Sequence, residues 1–347
     1  MTSVRQFLMV LLAAIGLILS TVAQAGFVIV ILDEAGVGLN DPAPRDPVDG
    51  NAGTTLGQQR LNVLQVAADR WAQALDLQPG VEIRVGARFT ELSCEPTSAV
   101  LGSAGPNRVF SSFENQPVED VWYTAAQAEA LAVRPGGLLA SDIQHIRTQY
   151  NLALDNGDES CLGGRTWYYG LDPNASRPSN QIALFPVVLH EFAHGLGFLT
   201  LVDLETGALF EPENVPPRED AYMRFLRDTE IGKAWTEMDD EERQASVLND
   251  PNVVWTGAAV AAEGNFITSP ESFSEGLLRM HAPGELRRGS SISHWAPGGQ
   301  PPRLMEPALR AGVFDQLDLT PALFSDLGWP LQASVLDRIF FDRFEPR

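Results

Sequence analysis

Basic residues are scarce in this chain. Its 347 residues contain 24 lysines and arginines against 45 aspartates and glutamates, so the formal net charge is −21 at pH 7. A surface of this sign repels nucleic acid and anionic membranes, and neither is expected as a partner. The acidity favours solubility and does not identify a substrate.

Apolar runs long enough to cross a bilayer are also missing. The longest, residues 7–19, has 13 residues, whereas a spanning helix needs about 20. It follows Arg5 and precedes Ala23-Gln24-Ala25, and this three-part pattern is typical of a secretory signal peptide. We therefore expect cleavage after Ala25 and a secreted or periplasmic mature protein without a membrane anchor. The alternative is an uncleaved run that anchors the chain.

Only two cysteines are present, Cys94 and Cys161, and both lie in the expected mature part. In an oxidising compartment they predict one disulfide bond, and two buried free thiols are the alternative. The mature chain, residues 26–347, has a length that suits one large domain or two subdomains. We expect it to be a monomer.

Hydrophobic periodicity predicts a mixed sheet with helices packed on it. His145 is expected on an amphipathic helix with Ile146 and Tyr150, and Pro186 makes the second long helix begin either near Ser179 with a kink or near Phe185. Loop or irregular structure is expected over residues 33–55 and 93–115, and residues 250–312 are expected to contain little helix. Strands are predicted over residues 27–32, 81–89 and 167–171, and helices over residues 57–77, 180–199, 220–227, 239–248 and, last, 320–327.

One of the predicted helices carries the segment His190-Glu191-Phe192-Ala193-His194. An α-helix turns about 100° per residue, so His190 and His194 lie one turn apart on the same face. Two imidazoles in this arrangement can occupy two corners of a zinc tetrahedron, and Glu191 beside them can act as general base towards a water molecule. The alternative is two surface histidines and a solvated glutamate. The chain has only five histidines, and this favours the metal site.

A catalytic zinc site needs a third protein ligand and one open position. Gly197 stands where the compact metzincin motif breaks the helix, but the next ligand position of that motif holds Thr200, which is a poor ligand. His294 lies further on, within Ser293-His294-Trp295, eleven residues before Met305. His294 is one candidate for the third ligand. The alternatives are Asp203, Glu211, Glu213, Glu219 and His281.

The helix motif, the His294-Trp295 pair and the turn Leu304-Met305-Glu306-Pro307 together resemble the leishmanolysin-type metzincins, in the form of exported bacterial members. The resemblance is strongest over residues 180–200 and 290–329. It implies a zinc-dependent endopeptidase that binds one catalytic Zn²⁺ through His190, His194 and, as the third ligand, His294, and that cleaves polypeptides. Met305 would support the ligand histidines from below and would have no chemical role.

The resemblance also implies a two-lobed α+β fold. The upper lobe, residues 26–200, would contain the mixed sheet and the active-site helix. The lower lobe, residues 201–330, would supply His294 and the Met-turn, and residues 331–347 would form a tail. The strand at residues 167–171 could then pair with an extended peptide.

Two further interpretations stay open. Residues 155–159, Asp-Asn-Gly-Asp-Glu, have the oxygen-rich composition of a calcium loop without the EF-hand spacing, so calcium is a weaker alternative to a solvated turn. The protein could also be a zinc hydrolase for a non-peptide amide such as cell-wall material, or a non-catalytic, zinc-stabilised binding module. Glu191 discriminates against the module, because a structural zinc site needs four ligands and no adjacent base.

Overall fold

The computed structural model describes residues 25–132, 134 and 137–340. The predicted signal peptide up to Gln24 and the end of the tail, residues 341–347, lie outside this part of the chain. Within it the protein is a mixed α+β structure, as expected. None of the described helices combines the length and the apolar character that a membrane span requires.

Helices and strands are interspersed along the described part of the chain. The helices are α1 (Leu56–Ala72), α2 (Ala125–Ala132), α3 (Leu184–Leu196), α4 (Asp240–Ser246), α5 (Ala258–Glu263), α6 (Thr320–Asp326) and α7 (Ala333–Phe340). The strands are β1 (Gly26–Ile31), β2 (Glu82–Thr90), β3 (Gly102–Pro106), β4 (Val109–Phe110), β5 (Tyr123–Thr124), β6 (Ile146–Asn151), β7 (Thr166–Tyr168), β8 (Gln181–Ala183), β9 (Leu226–Asp228), β10 (Lys233–Ala234), β11 (Val253–Trp255), β12 (Phe273–Ser274) and β13 (Leu277–Arg279).

A four-stranded mixed sheet of order β1-β2-β6-β3 organises the N-terminal part of the chain. Strands β1 and β6 run parallel to β2, and β3 runs antiparallel to β6 at the edge. Its inward residues follow the predicted alternation in β2, because Ile83, Val85 and Ala87 are fully buried. Helix α3 contacts β3 and β6, while α1 contacts β1 and α3. Helix α3 is therefore supported by the sheet on one side and by α1 on another.

The contact between α1 and α3 is anchored by Trp71. This residue is fully buried, and its indole Nε1 donates a hydrogen bond to the Leu189 carbonyl oxygen at 3.2 Å. Its ring also packs on Phe324 of α6, with ring centroids 5.3 Å apart. The helix α1 thus ties α3 to the C-terminal part of the chain. It ends earlier than predicted, and the chain beyond it pairs Leu75 with Leu331 in an isolated bridge.

The second sheet has order β10-β9-β11-β13-β12 and is antiparallel throughout. All its strands lie C-terminal to α3. The disulfide between Cys94 and Cys161 is formed, with the two Cα atoms 5.1 Å apart, so the prediction of a bridge is confirmed and that of free thiols is wrong. It joins the chain that leaves β2 to the chain that leaves β6.

Several predicted elements are wrong. The helix expected around His145 is the strand β6, because Ile146 and Tyr150 lie four residues apart and fit both the helical and the strand period. Residues 93–115, expected to be irregular, contain β3 and β4. The helix expected at residues 220–227 is a 3-10 turn followed by β9, and α7 follows the helix predicted as last.

Helix α3 approaches the sheet most closely at Gly195. A methyl group at this position would lie 2.1 Å from Cγ2 of Ile146, which is fully buried in β6. Helix propensity alone would make Gly195→Ala stabilising by about 1 kcal/mol. The overlap outweighs this gain, because forcing an extra methyl into a packed core costs about 1–3 kcal/mol.

We therefore expect Gly195→Ala to lower the free energy of unfolding, measured by urea titration. The loss should be much smaller in an Ile146→Ala background, where the obstructing side chain is absent. A Gly195→Ala protein that is more stable than the parent would show that helix propensity decides this position and that the close approach does not.

Candidate metal centre

Helix α3 carries two of the predicted ligands. It begins at Leu184 with Pro186 in its first turn, so the second of the two predicted starts is correct. Every residue of α3 except His190 is buried, as its apolar composition predicts. Gly197 ends the helix with φ of 130°, a backbone conformation that favours glycine. The chain can therefore turn sharply away immediately after His194.

The structure brings His190, His194 and His294 together. The Nε2 atom of His190 lies 3.0 Å from that of His194 and 3.0 Å from that of His294, and the remaining pair is 3.3 Å apart. Nitrogens bound to one tetrahedral zinc ion at 2.0–2.1 Å lie about 3.3–3.4 Å apart. The three atoms are therefore spaced as the ligands of a single ion.

The opposite nitrogen of each ring, Nδ1, faces a main-chain carbonyl oxygen. The pairs are His190 with Leu304 at 2.7 Å, His194 with Phe198 at 2.8 Å, and His294 with Ser290 at 2.8 Å. A carbonyl oxygen only accepts hydrogen bonds, so each Nδ1 carries the proton and each Nε2 carries a lone pair. This tautomer is the one that metal-binding histidines adopt.

Desolvation favours the neutral form of these rings. Desolvation lowers the pKa of His190 to about 4 and that of His194 to about 3, and it lowers the pKa of His294 well below its usual range. Three lone pairs then face one another about 3 Å apart, with no proton to share among them. Such an arrangement is unfavourable by itself and favourable around a cation. The donor set therefore fits a metal ion.

Aromatic packing holds His294 against the end of α3. The adjacent residue, Trp295, is fully buried, and its ring meets Phe198 edge-on with centroids 5.2 Å apart. The main-chain N–H of Trp295 donates to the Met305 carbonyl oxygen at 2.9 Å. Met305 is fully buried. The segment around Met305 thus touches both ligand-bearing parts, because the preceding residue, Leu304, accepts the bond from His190.

Glu191 lies on the buried side of α3, where it is 6% exposed. Burial raises the pKa of its carboxyl group to about 8. Among the residues that the structure describes, none donates a hydrogen bond to this carboxylate. Its neighbour is the edge strand β3: a methyl group at Gly102 would lie 2.8 Å from Cγ and Oε1 of Glu191.

The alternative ligands lie elsewhere. Within the described part of the chain, the three histidines form the one group of three metal-binding side chains that converge. Asp203 accepts a hydrogen bond from the Glu205 amide at 2.9 Å, and Glu219 pairs with Arg224. His281 donates its main-chain N–H to the His294 carbonyl oxygen at 2.8 Å, but its side chain is outside the group. Glu211 and Glu213 are outside it as well.

The carboxylate of Asp155 does not support the calcium interpretation. It accepts hydrogen bonds from the fully buried Arg60 and from the Tyr169 hydroxyl. Asp155 therefore neutralises a buried cation, and the acidic residues after it do not converge with it on a metal position. His145 is also occupied: its Nε2 lies 3.2 Å from Glu129 Oε2, and its Nδ1 accepts the Arg84 amide at 2.9 Å.

Two features of the site have no signal in the sequence. The strand β3 consists of Gly, Ser, Ala, Gly and Pro, a composition that predicts a loop. The carbonyl oxygens that orient the rings belong to main chain, which every residue possesses. Both become visible only when the chain is folded.

Comparison of the chain with protein-family models, with curated proteins and with solved structures gives no match. Any functional inference therefore rests on the residues and their geometry.

The ligand set can be tested by metal binding alone. His294→Ala removes one of three converging nitrogens, so we expect zinc affinity to fall by several orders of magnitude. Asp203→Ala and Glu219→Ala are the controls, and their zinc content should equal that of the parent. If His294→Ala bound zinc with parental affinity and one of the two controls lost zinc, the carboxylate removed in that control would be the third ligand.

Proposed function

We propose that this protein is an exported zinc-dependent endopeptidase of the metzincin kind, with His190, His194 and His294 as metal ligands and Glu191 as general base. The observation that carries the proposal is the convergence of three neutral imidazole nitrogens, two of which come from the helix that also carries the buried Glu191. Three imidazoles with an open fourth position are a ligand set of catalytic zinc. Imidazole also binds copper, iron and nickel, so the metal content of purified protein decides the ion.

The chemistry divides between the metal and Glu191. A bound zinc ion supplies Lewis acidity, which lowers the pKa of a water molecule and polarises a carbonyl group. Glu191 accepts the proton of the attacking water and returns it to the leaving amine. Its buried position suits this task, because a low-dielectric surrounding raises the proton affinity of a carboxylate. The hydrogen bonds to Nδ1 keep the three rings in the ligating tautomer and orientation.

The edge strand β3 offers a place for an extended peptide. Leu101 and Asn107, which flank β3, each make a main-chain hydrogen bond to the chain of β6, with Asn151 and His145 respectively. Hydrogen-bonded and non-bonded residues alternate along an antiparallel ladder, so Ser103 and Gly105 also face β6, whereas Gly102 and Ala104 do not. The N–H and C=O groups of Gly102 and Ala104 therefore point to the open edge, beside Glu191. A substrate strand can pair there by β-augmentation. The strand predicted at residues 167–171 is β7, which pairs with β8 in a separate two-stranded sheet, so β3 is the edge strand that contacts Glu191.

The site geometry favours an enzyme over a zinc-stabilised module. Three side chains converge in the described part of the chain, whereas a structural zinc site closes with four. Hydrolysis of a non-peptide amide would use the same groups, so the substrate must be determined by assay. The signal-peptide pattern and the disulfide support export.

The deciding experiment uses the purified mature protein, residues 26–347. Its metal content is measured first, and then the degradation of casein and of isolated cell-wall material, each with and without a chelator. We expect zinc near one equivalent and chelator-sensitive cleavage of casein. Zinc binding with cleavage of the cell-wall material alone would replace the peptidase by an amidase, and zinc binding without turnover of either would favour the module.

The role of Glu191 generates a separate prediction. Glu191→Gln is nearly isosteric but cannot accept a proton, so we expect unchanged zinc content and unfolding temperature with turnover reduced at least about a hundredfold. The variant purified in parallel also measures any contaminating protease. Activity above a tenth of the parental value would exclude Glu191 as the base.

A further inference from the structure

Two separate segments must be aligned for the three histidines to meet. One is the chain that leaves α3, where Phe198 supplies the carbonyl oxygen for His194. The other contains Ile292, two residues before His294. Residues 220–223 lie between them in space and carry no recognisable sequence motif. Their contacts reach both segments.

Asp220 holds the first segment. Its carboxylate accepts the Thr200 hydroxyl at 2.7 Å and the Leu201 amide at 2.7 Å through Oδ2. Its other oxygen, Oδ1, accepts the Met223 amide at 2.8 Å. The side chain is 3% exposed, so these bonds are made away from water. Asp220 therefore fixes the chain two residues beyond the carbonyl group that orients His194.

Tyr222 holds the second segment. Its hydroxyl donates to the Ile292 carbonyl oxygen at 2.9 Å, and both residues are buried. Its ring also packs on Phe198, with centroids 5.6 Å apart. One side chain thus contacts the residue that orients His194 and the chain that leads into His294.

We infer that Asp220 and Tyr222 are positioning residues for the metal site, which set the relative placement of His194 and His294. The inference rests on the proposed function in one respect, namely that the three histidines bind a metal ion. The hydrogen bonds of both side chains go to the two ligand-bearing segments and their surroundings, so both residues act on the rings through the main chain. A ligand moved by a few tenths of an ångström binds the ion less tightly.

Conservative substitutions separate this role from simple packing. In Asp220→Asn, one acceptor oxygen becomes an amide nitrogen that faces backbone N–H donors or a hydroxyl, so one side of the contact is lost. In Tyr222→Phe, the ring and its packing stay, but the Ile292 carbonyl oxygen loses its donor. Asp220→Asn preserves volume, and Tyr222→Phe removes only one oxygen atom, so neither change opens a large cavity.

The chain offers a matched control in Asp228. This aspartate is also fully buried and also makes three hydrogen bonds: Oδ1 accepts the Glu230 and Ile231 amides at 3.0 Å each, and Oδ2 accepts the Asn249 side-chain amide at 2.9 Å. It belongs to β9, and these hydrogen bonds reach neither ligand-bearing segment. Asp228→Asn should therefore reproduce the loss of stability of Asp220→Asn without its effect on the metal.

The experiment measures the zinc dissociation constant by competition with a chromophoric chelator and the visible spectrum of the Co²⁺-loaded protein. Thermal unfolding is followed in parallel with metal removed. We expect Asp220→Asn and Tyr222→Phe to weaken zinc binding about tenfold, because the loss of a group that orients a metal ligand typically lowers metal affinity by about 10- to 100-fold. Their Co²⁺ spectra should also change, because the absorption reports the geometry of the ligand set. Asp228→Asn should keep the parental dissociation constant and spectrum.

The outcomes distinguish this inference from the proposed function. If the parent binds neither zinc nor Co²⁺, the proposed function fails and the inference fails with it. If the parent binds zinc but Asp220→Asn and Tyr222→Phe match it in affinity and spectrum, the inference alone is overturned. It is equally overturned if Asp228→Asn weakens zinc binding to the same degree, since a general loss of stability then explains the effect.

Discussion

The repulsion among three imidazole lone pairs is the constraint on which the site depends. Each ring of His190, His194 and His294 uses its only proton on a main-chain carbonyl oxygen, so none is left between the Nε2 atoms. Those atoms nevertheless lie 3.0–3.3 Å apart. A folded protein can hold this arrangement only if the surrounding structure is stable enough to impose it. The dense packing around α3 can be understood as that support.

The support comes from three places far apart in the sequence. Phe198 and Ser290 each offer a carbonyl oxygen to a ligand that lies four residues away, so those contacts are local. The contact of Leu304 with His190 is long-range and therefore needs a fixed loop. Two acidic residues hold that loop. Asp318 accepts a hydrogen bond from the Leu304 amide, and Glu306, which is 1% exposed, accepts hydrogen bonds from the Gly298 and Arg303 amides. The acidic residues of this region thus act internally, as hydrogen-bond acceptors.

The sequence predicts the clustering of the three histidines better than it predicts the architecture. The spacing of His190 and His194 places both rings on one face of the helix that the apolar periodicity predicts, and His294 is predicted from the resemblance of the His294-Trp295 and Met305 segments to a known family. Apolar alternation likewise predicts β2. It does not predict β6, since Ile146 and Tyr150 satisfy two periods at once. Strand β3 has no apolar pattern, because it is stabilised by pairing with β6 and by the approach of α3. Nothing in the sequence distinguishes Asp220 from the other acidic residues, because its three hydrogen-bond donors are brought to it only by folding.

Gly102 connects the two halves of the proposed mechanism. Because it has no side chain, β3 can approach α3 until the strand touches Glu191. The same ladder position turns its N–H and C=O groups to the open edge, where a substrate strand would pair. One contact therefore sets the relative position of the proposed general base and of the strand proposed to bind substrate, and this position does not depend on a flexible loop. A strand held in this register presents its carbonyl groups at fixed intervals along the edge. In the proposed mechanism, the pairing register would therefore select the peptide bond to be cleaved.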